Sequence, residues 1–258
     1  AAMATAAALR RPAAAAWRGQ RQLLQPRPKC LATAAAARDE DLLRQLRDRP
    51  SATAPPDEIV SGLHICGLLA LRDAGALRER GVTHVLNAAE PWLHRAAGLD
   101  LAAAGFRVQS FGAGDRDGQA GEADLAGRFE ESAAFIAEGR RAGGALVHCA
   151  SGVSRSSSLC MAYLVLQEAW SLDAAAWIVH SARPCVRPGR GLWRQLRWLE
   201  AELLAGRAGA AGGRNSTAAE ARRLRPPPEG AAGAAASLAK EWDAALRPQR
   251  AGAATPST

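Results

Sequence analysis

The chain has 258 residues, 48% of them hydrophobic, and a formal net charge of +8 at pH 7. This length allows one full core with tails, and no run approaches the roughly 18 apolar residues that a membrane-spanning helix requires. Seven basic residues and no acidic ones precede Asp39. Most of the excess positive charge therefore belongs to the N-terminal extension, which argues against a nucleic-acid-binding surface on the central region.

The five cysteines form neither a CxxC pair nor a spacing typical of zinc ligands. Their odd number and wide scatter argue against a secreted disulfide framework. We therefore expect no bound metal and a reducing compartment.

Composition divides the chain into three parts. Residues 1–56 are rich in Ala, Arg and Pro, and we expect them to be disordered or to be a mitochondrial targeting segment, which typically is Arg-rich and poor in acids. Residues 57–206 carry most of the large apolar side chains and are expected to form one domain. Residues 207–258 should be mostly disordered, with one short helix at 234–246. The expected location is cytoplasmic, with mitochondrial targeting as the alternative.

The central region alternates strands with helices. The predicted strands cover residues 59–67, 82–87, 106–111 and 145–148. The predicted helices cover residues 68–80, 123–141, 155–168, 172–182 and 190–205. This order indicates an α/β fold with a mostly parallel sheet of about four to five strands flanked by helices. Ligands of such sheets bind beyond the carboxyl ends of the strands, which is where the loop after Cys149 lies.

The stretch from Ala145 to Ser158 carries the clearest chemistry. An apolar strand ends at His148 and Cys149, a loop of small residues follows, and Arg155 begins a helix. Backbone N–H groups and a helix dipole attract anions at such a loop and lower the pKa of a thiol there. Arg155 adds a planar fork suited to two phosphate oxygens. A cysteine after a strand is more often a core residue, but this pattern predicts a nucleophile that attacks a bound phosphate ester.

The segment from His148 to Ser156, HCASGVSRS, resembles the active-site signature of the dual-specificity protein phosphatases in the cysteine-based tyrosine phosphatase superfamily. The similarity continues through SLCMAYL at 158–164, ARPCVRP at 182–188 and WRQL at 193–196. It covers about residues 57–205 and is greatest for the small atypical members without a kinase-docking domain. The resemblance implies a tyrosine-phosphatase-like fold and chemistry that needs no cofactor.

The resemblance also implies roles for the residues around the loop. Cys149 would form a phosphocysteine intermediate, and Ser156 would donate to its sulfur. His148 would order the loop and lower the pKa of the thiol, although a buried structural histidine is equally compatible. Asn87 would brace the loop or serve as a turn residue. The phosphoryl oxygens would be held by the Arg155 side chain and by backbone N–H groups: those of Ala150, Ser151, Gly152, Val153, Ser154 and Arg155.

A leaving alkoxide or phenoxide needs a proton from a general acid. The resemblance places an aspartate just after the strand that ends at Phe111. The register of that strand favours Asp115, whereas the spacing to Cys149 favours Asp117. We prefer Asp115 because insertions fall in loops, and Asp117 is the alternative general acid. Asp124 fits a helix cap better.

The predicted activity is hydrolysis of phosphotyrosine and of phosphoserine or phosphothreonine in proteins. Phosphorylated proteins are the expected partners, and no nucleic acid is expected. Two alternatives stay open. The first is the same chemistry on an RNA 5′-phosphate, a phosphoinositide or a phosphoglycan, and the second is a non-catalytic phosphopeptide-binding module. The sequence does not indicate an oligomeric state.

Overall fold

The computed structural model describes residues 40–111, 125–210 and 224–246. Its strands are β1 (Asp57–Val60), β2 (Leu63–Gly67), β3 (Val82–Asn87), β4 (Arg107–Ser110) and β5 (Gly144–Cys149). Its α-helices are α1 (40–47), α2 (Pro50–Thr53), α3 (Ala74–Glu79), α4 (Pro91–Ala96), α5 (Phe129–Arg141), α6 (Arg155–Leu166), α7 (Leu172–Ala182), α8 (Arg190–Ala210) and α9 (Ala232–Ala244). Short 3-10 helices, Leu68–Arg72 and Ala126–Arg128, precede α3 and α5.

The strands form one mixed sheet in the order β1-β2-β5-β3-β4. Only the β1–β2 pair is antiparallel within the described sheet, and the other pairs are parallel. This confirms the predicted fold class. The single strand predicted at 59–67 is a hairpin instead, because the chain turns where the N–H of Gly62 donates to Glu58 Oε1 at 2.9 Å.

Helices cover both faces of the sheet and create two cores. The core under α5 to α8 includes Val147 and Cys149 of β5, whereas the core under α1 to α4 includes Leu146. Side chains of a strand alternate between its two faces. His148 therefore points away from the Cys149 side of the sheet and towards α4, a placement that matters for the site.

The packed unit begins before the domain boundary predicted at residue 57. Leu43 and Leu46 of α1 and Ala52 of α2 are buried against the sheet. The backbone of α2 approaches β2 closely because Gly67 has no side chain, and a Cβ there would lie 2.4 Å from the Cα of Ala52. Part of the Ala/Arg-rich extension is thus folded. Helix α1 has Leu42, Leu43 and Leu46 at helical spacing, whereas α2 has only four residues and no large apolar side chain.

The packed unit also extends beyond residue 206. Helix α9 corresponds to the short helix predicted at 234–246, and its Trp242 is buried. The Trp242 ring meets the Trp193 ring edge-on, with the centroids 5.1 Å apart. In the described parts of the chain, none of the helices combines the length and the apolar character needed to cross a membrane.

Candidate active site

The phosphate loop, residues 150–155, joins β5 to α6. Several of its carbonyl oxygens point outward and accept hydrogen bonds from neighbouring segments. Three of these oxygens accept hydrogen bonds from neighbouring segments: Ala150 from the N–H of Leu68 at 3.0 Å, Gly152 from Nε of Arg183 at 2.9 Å, and Val153 from the N–H of Arg187 at 2.9 Å. In a trans peptide, the next N–H points the opposite way. The N–H groups of Ser151, Val153 and Ser154 therefore face the inside of the loop, where they can bind an anion.

Cys149 ends β5 beneath this loop with its side chain almost wholly buried. Its Sγ lies 3.3 Å from Oγ of Ser156. Burial alone would raise the pKa of the thiol. The positive charge of Arg155 and hydrogen bonds from Ser156 and from the N–H of Val153 outweigh burial, so the pKa of Cys149 lies below its ordinary value. The arrangement favours a thiolate, as a nucleophile requires.

Arg155 begins α6, and its guanidinium forms an ion pair with Glu90. The distance from Arg155 Nη1 to Glu90 Oε1 is 3.8 Å, and only 12% of the Glu90 side chain is exposed. Glu90 immediately precedes α4 on the turn after β3. A buried carboxylate at this position holds the guanidinium beside the loop, on the same edge of the sheet as Cys149.

His148 is fully buried and contacts a second histidine. Its Nε2 lies 2.9 Å from Nε2 of His94 on α4, and its Nδ1 lies 3.4 Å from the carbonyl oxygen of Cys149. Burial, His94 and Arg155 together lower the pKa of His148 to about 3. The imidazole is thus neutral at physiological pH. Its contacts suit the ordering role, and it brings no positive charge to the thiol.

Arg183, at the end of α7, connects the phosphate loop to α2 and β1. Its side chain is 3% exposed. Besides the bond to Gly152, its guanidinium donates to Asp57 of β1 and to the carbonyl oxygen of Ser51 in α2. A few residues later, the N–H of Gly189 donates to Oγ of Ser154 at 2.8 Å. The segment from 183 to 189 therefore forms the outer support of the loop.

Asn87 ends β3, beside His148 of β5 in the sheet. Its Oδ1 accepts from the N–H of Ala89 at 2.7 Å, and its Nδ2 donates to Ser110 Oγ at 3.3 Å. The adjacent N–H of Ala88 donates to the carbonyl oxygen of His148 at 2.8 Å. These contacts are those of a turn residue that connects β3 with β4.

The two candidate general acids, Asp115 and Asp117, lie outside the described residues, as does Asp124. The segment that carries them leaves β4 after Phe111 and returns at Leu125, whose N–H donates to Gln195 Oε1 at 2.9 Å. Because β4 runs parallel to β3, and β3 to β5, the segment leaves from the sheet edge at which Cys149 lies. The acid assignment stays a prediction.

Three residues of this site were not assigned a role from the sequence: Glu90, His94 and Arg183. A carboxylate before Pro91 at the carboxyl edge of β3 was an available signal for Glu90. His94 gives none, because α4 meets β5 only through the tertiary fold. Among the described residues, no group of three His, Cys, Asp or Glu side chains is placed to hold a metal ion.

Comparison with known proteins identifies the family. A family model described as "Dual specificity phosphatase, catalytic domain" matches residues 72–202. Dual specificity protein phosphatase 26 of Mus musculus is 35% identical over 168 residues, which are 64% of this chain and 77% of that protein. MAP kinase phosphatase with leucine-rich repeats protein 3 of Dictyostelium discoideum is 34% identical over 154 residues, 58% of this chain. The chain spans only 17% of the length of that second relative.

Solved structures of related proteins have the same fold. The crystal structure of human DUSP28 superposes with a TM-score of 0.50 at 28% identity, covering 58% of this chain and 95% of that one. A human tyrosine phosphatase-like serine/threonine/tyrosine-interacting protein, at 23% identity and a TM-score of 0.51, shares the fold. Fold and site together define a hydrolase domain of the cysteine-based phosphatase class. Within it, the chain belongs to the dual-specificity phosphatase family and contains its catalytic domain.

Proposed function

We propose that this chain hydrolyses phosphotyrosine and phosphoserine or phosphothreonine in proteins through a phosphocysteine intermediate. The observation that supports it most strongly is the Cys149 thiol, held beneath inward-facing N–H groups with its pKa lowered by Arg155 and Ser156. A thiolate beside a permanent cation and several amide donors is suited to attack on a phosphate dianion.

In the first step, the Cys149 thiolate attacks phosphorus as the bond from phosphorus to the ester oxygen breaks. The leaving oxygen takes a proton from Asp115, or from Asp117 in the alternative assignment. Arg155 and the N–H groups of the phosphate loop bind the three non-bridging oxygens as charge moves through the transition state.

In the second step, a water molecule attacks the phosphocysteine, and the bond between sulfur and phosphorus breaks. The aspartate, now a carboxylate, takes a proton from that water. The Ser156 hydroxyl, 3.3 Å from Sγ, donates to the departing thiolate. Inorganic phosphate leaves, and both the thiolate and the protonated acid are restored.

Protein substrates are favoured over the alternatives by the relatives, which are named as protein phosphatases. The excess basic charge that could attract an RNA or a phosphoinositide belongs mostly to residues before Asp39. A binding-only module would need Arg155 to hold the phosphate but would not need a nucleophile, and Cys149 is present here. A doubly phosphorylated peptide, an RNA 5′-phosphate, a phosphoinositide and a phosphoglycan form the substrate panel that tests this assignment.

The deciding experiment measures hydrolysis of p-nitrophenyl phosphate by the full chain, by Cys149→Ser and by Cys160→Ser. Cys160 is a matched control because it is buried nearby but its thiol pKa is raised by burial. We expect Cys149→Ser to lose at least about 10³-fold in kcat and Cys160→Ser to retain most activity. Comparable activity of Cys149→Ser, or phosphopeptide binding without turnover by the unmutated chain, would overturn the mechanism.

We further propose a cytoplasmic location, with mitochondrial targeting by the N-terminal extension as the alternative. Because Leu43, Leu46 and Ala52 pack into the domain, the test is best made with residues 1–39 fused to a fluorescent protein. Diffuse cytosolic signal supports the first assignment, and mitochondrial signal the second.

A further inference from the structure

The contact between His94 and His148 reaches the nucleophile through the backbone. His148 is fully buried, with its two ring nitrogens directed at different neighbours. Nε2 faces Nε2 of His94 at 2.9 Å, and the ring planes lie within 20° of each other. Nδ1 faces the carbonyl oxygen of Cys149 at 3.4 Å. The two contacts together determine which nitrogen carries the hydrogen.

A neutral imidazole has one N–H donor and one lone pair that accepts. The carbonyl oxygen of Cys149 only accepts, so Nδ1 of His148 must carry the hydrogen for this contact to be attractive. The lone pair of His148 then lies on Nε2 and needs a donor. Nε2 of His94 is the atom that faces it, and it must carry a hydrogen.

We propose that His94 is a positioning residue that fixes the Nδ1–H tautomer of His148 and thereby orients the first peptide of the phosphate loop. This inference rests on the proposed function of that loop. In the peptide that joins Cys149 to Ala150, the carbonyl and the N–H point in opposite directions. Holding the Cys149 carbonyl towards His148 therefore holds the Ala150 N–H towards the bound phosphoryl group.

The surroundings of the pair favour the neutral form on both rings. Burial lowers the pKa of His94, and Arg155 of α6 is the nearby cation that disfavours a second positive charge on His148. A proton added to Nε2 of His148 would meet the N–H of His94. The pair therefore acts through its hydrogen-bond direction and not through its charge.

Three variants separate this role from general support of the fold. His94→Gln keeps an amide N–H donor. His94→Phe keeps a flat ring without a donor, so Nε2 of His148 loses its partner and only the contact of Nδ1 with the Cys149 carbonyl oxygen still favours the Nδ1–H tautomer. Leu93→Ala removes a buried side chain of the same helix without touching the pair.

The primary measurement is the ¹⁵N chemical shifts of the His148 ring, which distinguish a protonated from an unprotonated nitrogen. The second is inhibition by orthovanadate, an oxyanion that occupies a phosphate site. We expect hydrogen on Nδ1 of His148 in the unmutated chain and in His94→Gln. In His94→Phe we expect a mixture of the two tautomers of His148, with vanadate bound about tenfold more weakly. Leu93→Ala should lower the melting temperature but change neither measurement.

Hydrogen on Nε2 of His148 in the unmutated chain would overturn the proposal, as would a His94→Phe variant that matches the unmutated chain in both measurements. If the Phe variant does not fold, His94→Asn, whose shorter side chain cannot bring its amide to His148, takes its place with the same expectations. The ring shifts are measured without substrate. They therefore test the tautomer even if the Cys149→Ser experiment rejects phosphatase activity.

Discussion

Gly152 of the phosphate loop lies directly against the backbone of Cys66 at the end of β2. A Cβ added to Gly152 would stand 2.5 Å from both the carbonyl carbon and the carbonyl oxygen of Cys66. Gly152 also has a φ of +67°, which only glycine adopts at little cost. The shape of the loop thus depends on the absence of one methyl group.

We predict that Gly152→Ala pushes the loop away from β2 and misplaces its N–H groups. A displacement of about 1 Å at a reacting centre costs about 100-fold in kcat. We expect a loss of this order in the hydrolysis of p-nitrophenyl phosphate. Gly98→Ala is the matched control, because Gly98 has a φ of +68° with no atom within 4 Å of the added Cβ. That variant should lose about 1 kcal/mol of stability and keep its activity. Equal activity of the two variants would show that the loop tolerates the contact.

Ser156 is predicted to lower the pKa of the thiol. Its hydroxyl lies 3.3 Å from Cys149 Sγ and favours the thiolate. Ser156→Ala should raise the pKa of Cys149 and slow alkylation by iodoacetamide at pH 6 by about tenfold, with little change at pH 9. Ser158→Ala is the control, since that hydroxyl donates to the carbonyl oxygen of Ser154 at 2.9 Å instead. If both variants alkylate like the unmutated chain at pH 6, the hydroxyl does not act on the thiolate.

His64 on β2 is one of the buried histidines through which stability should fall in mild acid. The residue is 4% exposed. Burial lowers the pKa of His64 below its ordinary value of 6.5. The unfolded chain therefore takes up a proton first, so this contribution to stability is complete above pH 6.5 and is lost as the pH falls below it.

The measurement is urea unfolding at pH 8 and at pH 5.5. His64→Leu should remove about 1 kcal/mol of the loss in the free energy of unfolding between these two pH values. The difference between the variants at pH 8 serves as the baseline, because both are then uncharged at this position. An identical pH dependence in both chains would mean that His64 titrates normally.

The local part of the site was predictable from the sequence, and the long-range part was not. Cys149, Arg155 and Ser156 come together because a strand, a six-residue loop and a helix start are encoded in one contiguous stretch. The positions of the strands were likewise predictable from apolar runs in the sequence. The hairpin at Gly62 was predicted as a single strand, because a turn of only two residues separates β1 from β2.

Glu90, His94 and Arg183 reach the same site from other parts of the chain. Their positions depend on β3 and β2 lying on either side of β5 and on the direction in which α4 and α7 cross the sheet. No local pattern encodes these relationships. A contact such as the one between His94 and His148, whose Nε2 atoms are 2.9 Å apart, can be predicted only when the order of the strands is known.

Helix α9 lies beyond the residues that match the family, yet it is joined to the core. Asp243 accepts from Nε1 of Trp193 at 2.7 Å and forms an ion pair with Arg197, and Trp242 is 5% exposed. Trp193 in turn belongs to the turn of α8 that begins at Gly189, the residue bonded to Ser154 of the phosphate loop. Docking of α9 therefore supports the outer side of that loop.

We predict that Trp242→Ala lowers the free energy of unfolding by about 3 kcal/mol, since it removes a large buried side chain. The Trp242→Ala variant should also lose phosphatase activity at temperatures where α9 detaches while the sheet is still folded. Urea unfolding, followed by tryptophan fluorescence, measures the free energy of unfolding. Assays of phosphatase activity between about 20 and 45 °C, a range that reaches the lower melting temperatures of ordinary domains, measure the loss of activity. Lys240→Ala, on the exposed side of the same helix, should change neither. A Trp242→Ala variant as stable as the unmutated chain would show that α9 contributes nothing to the folded domain.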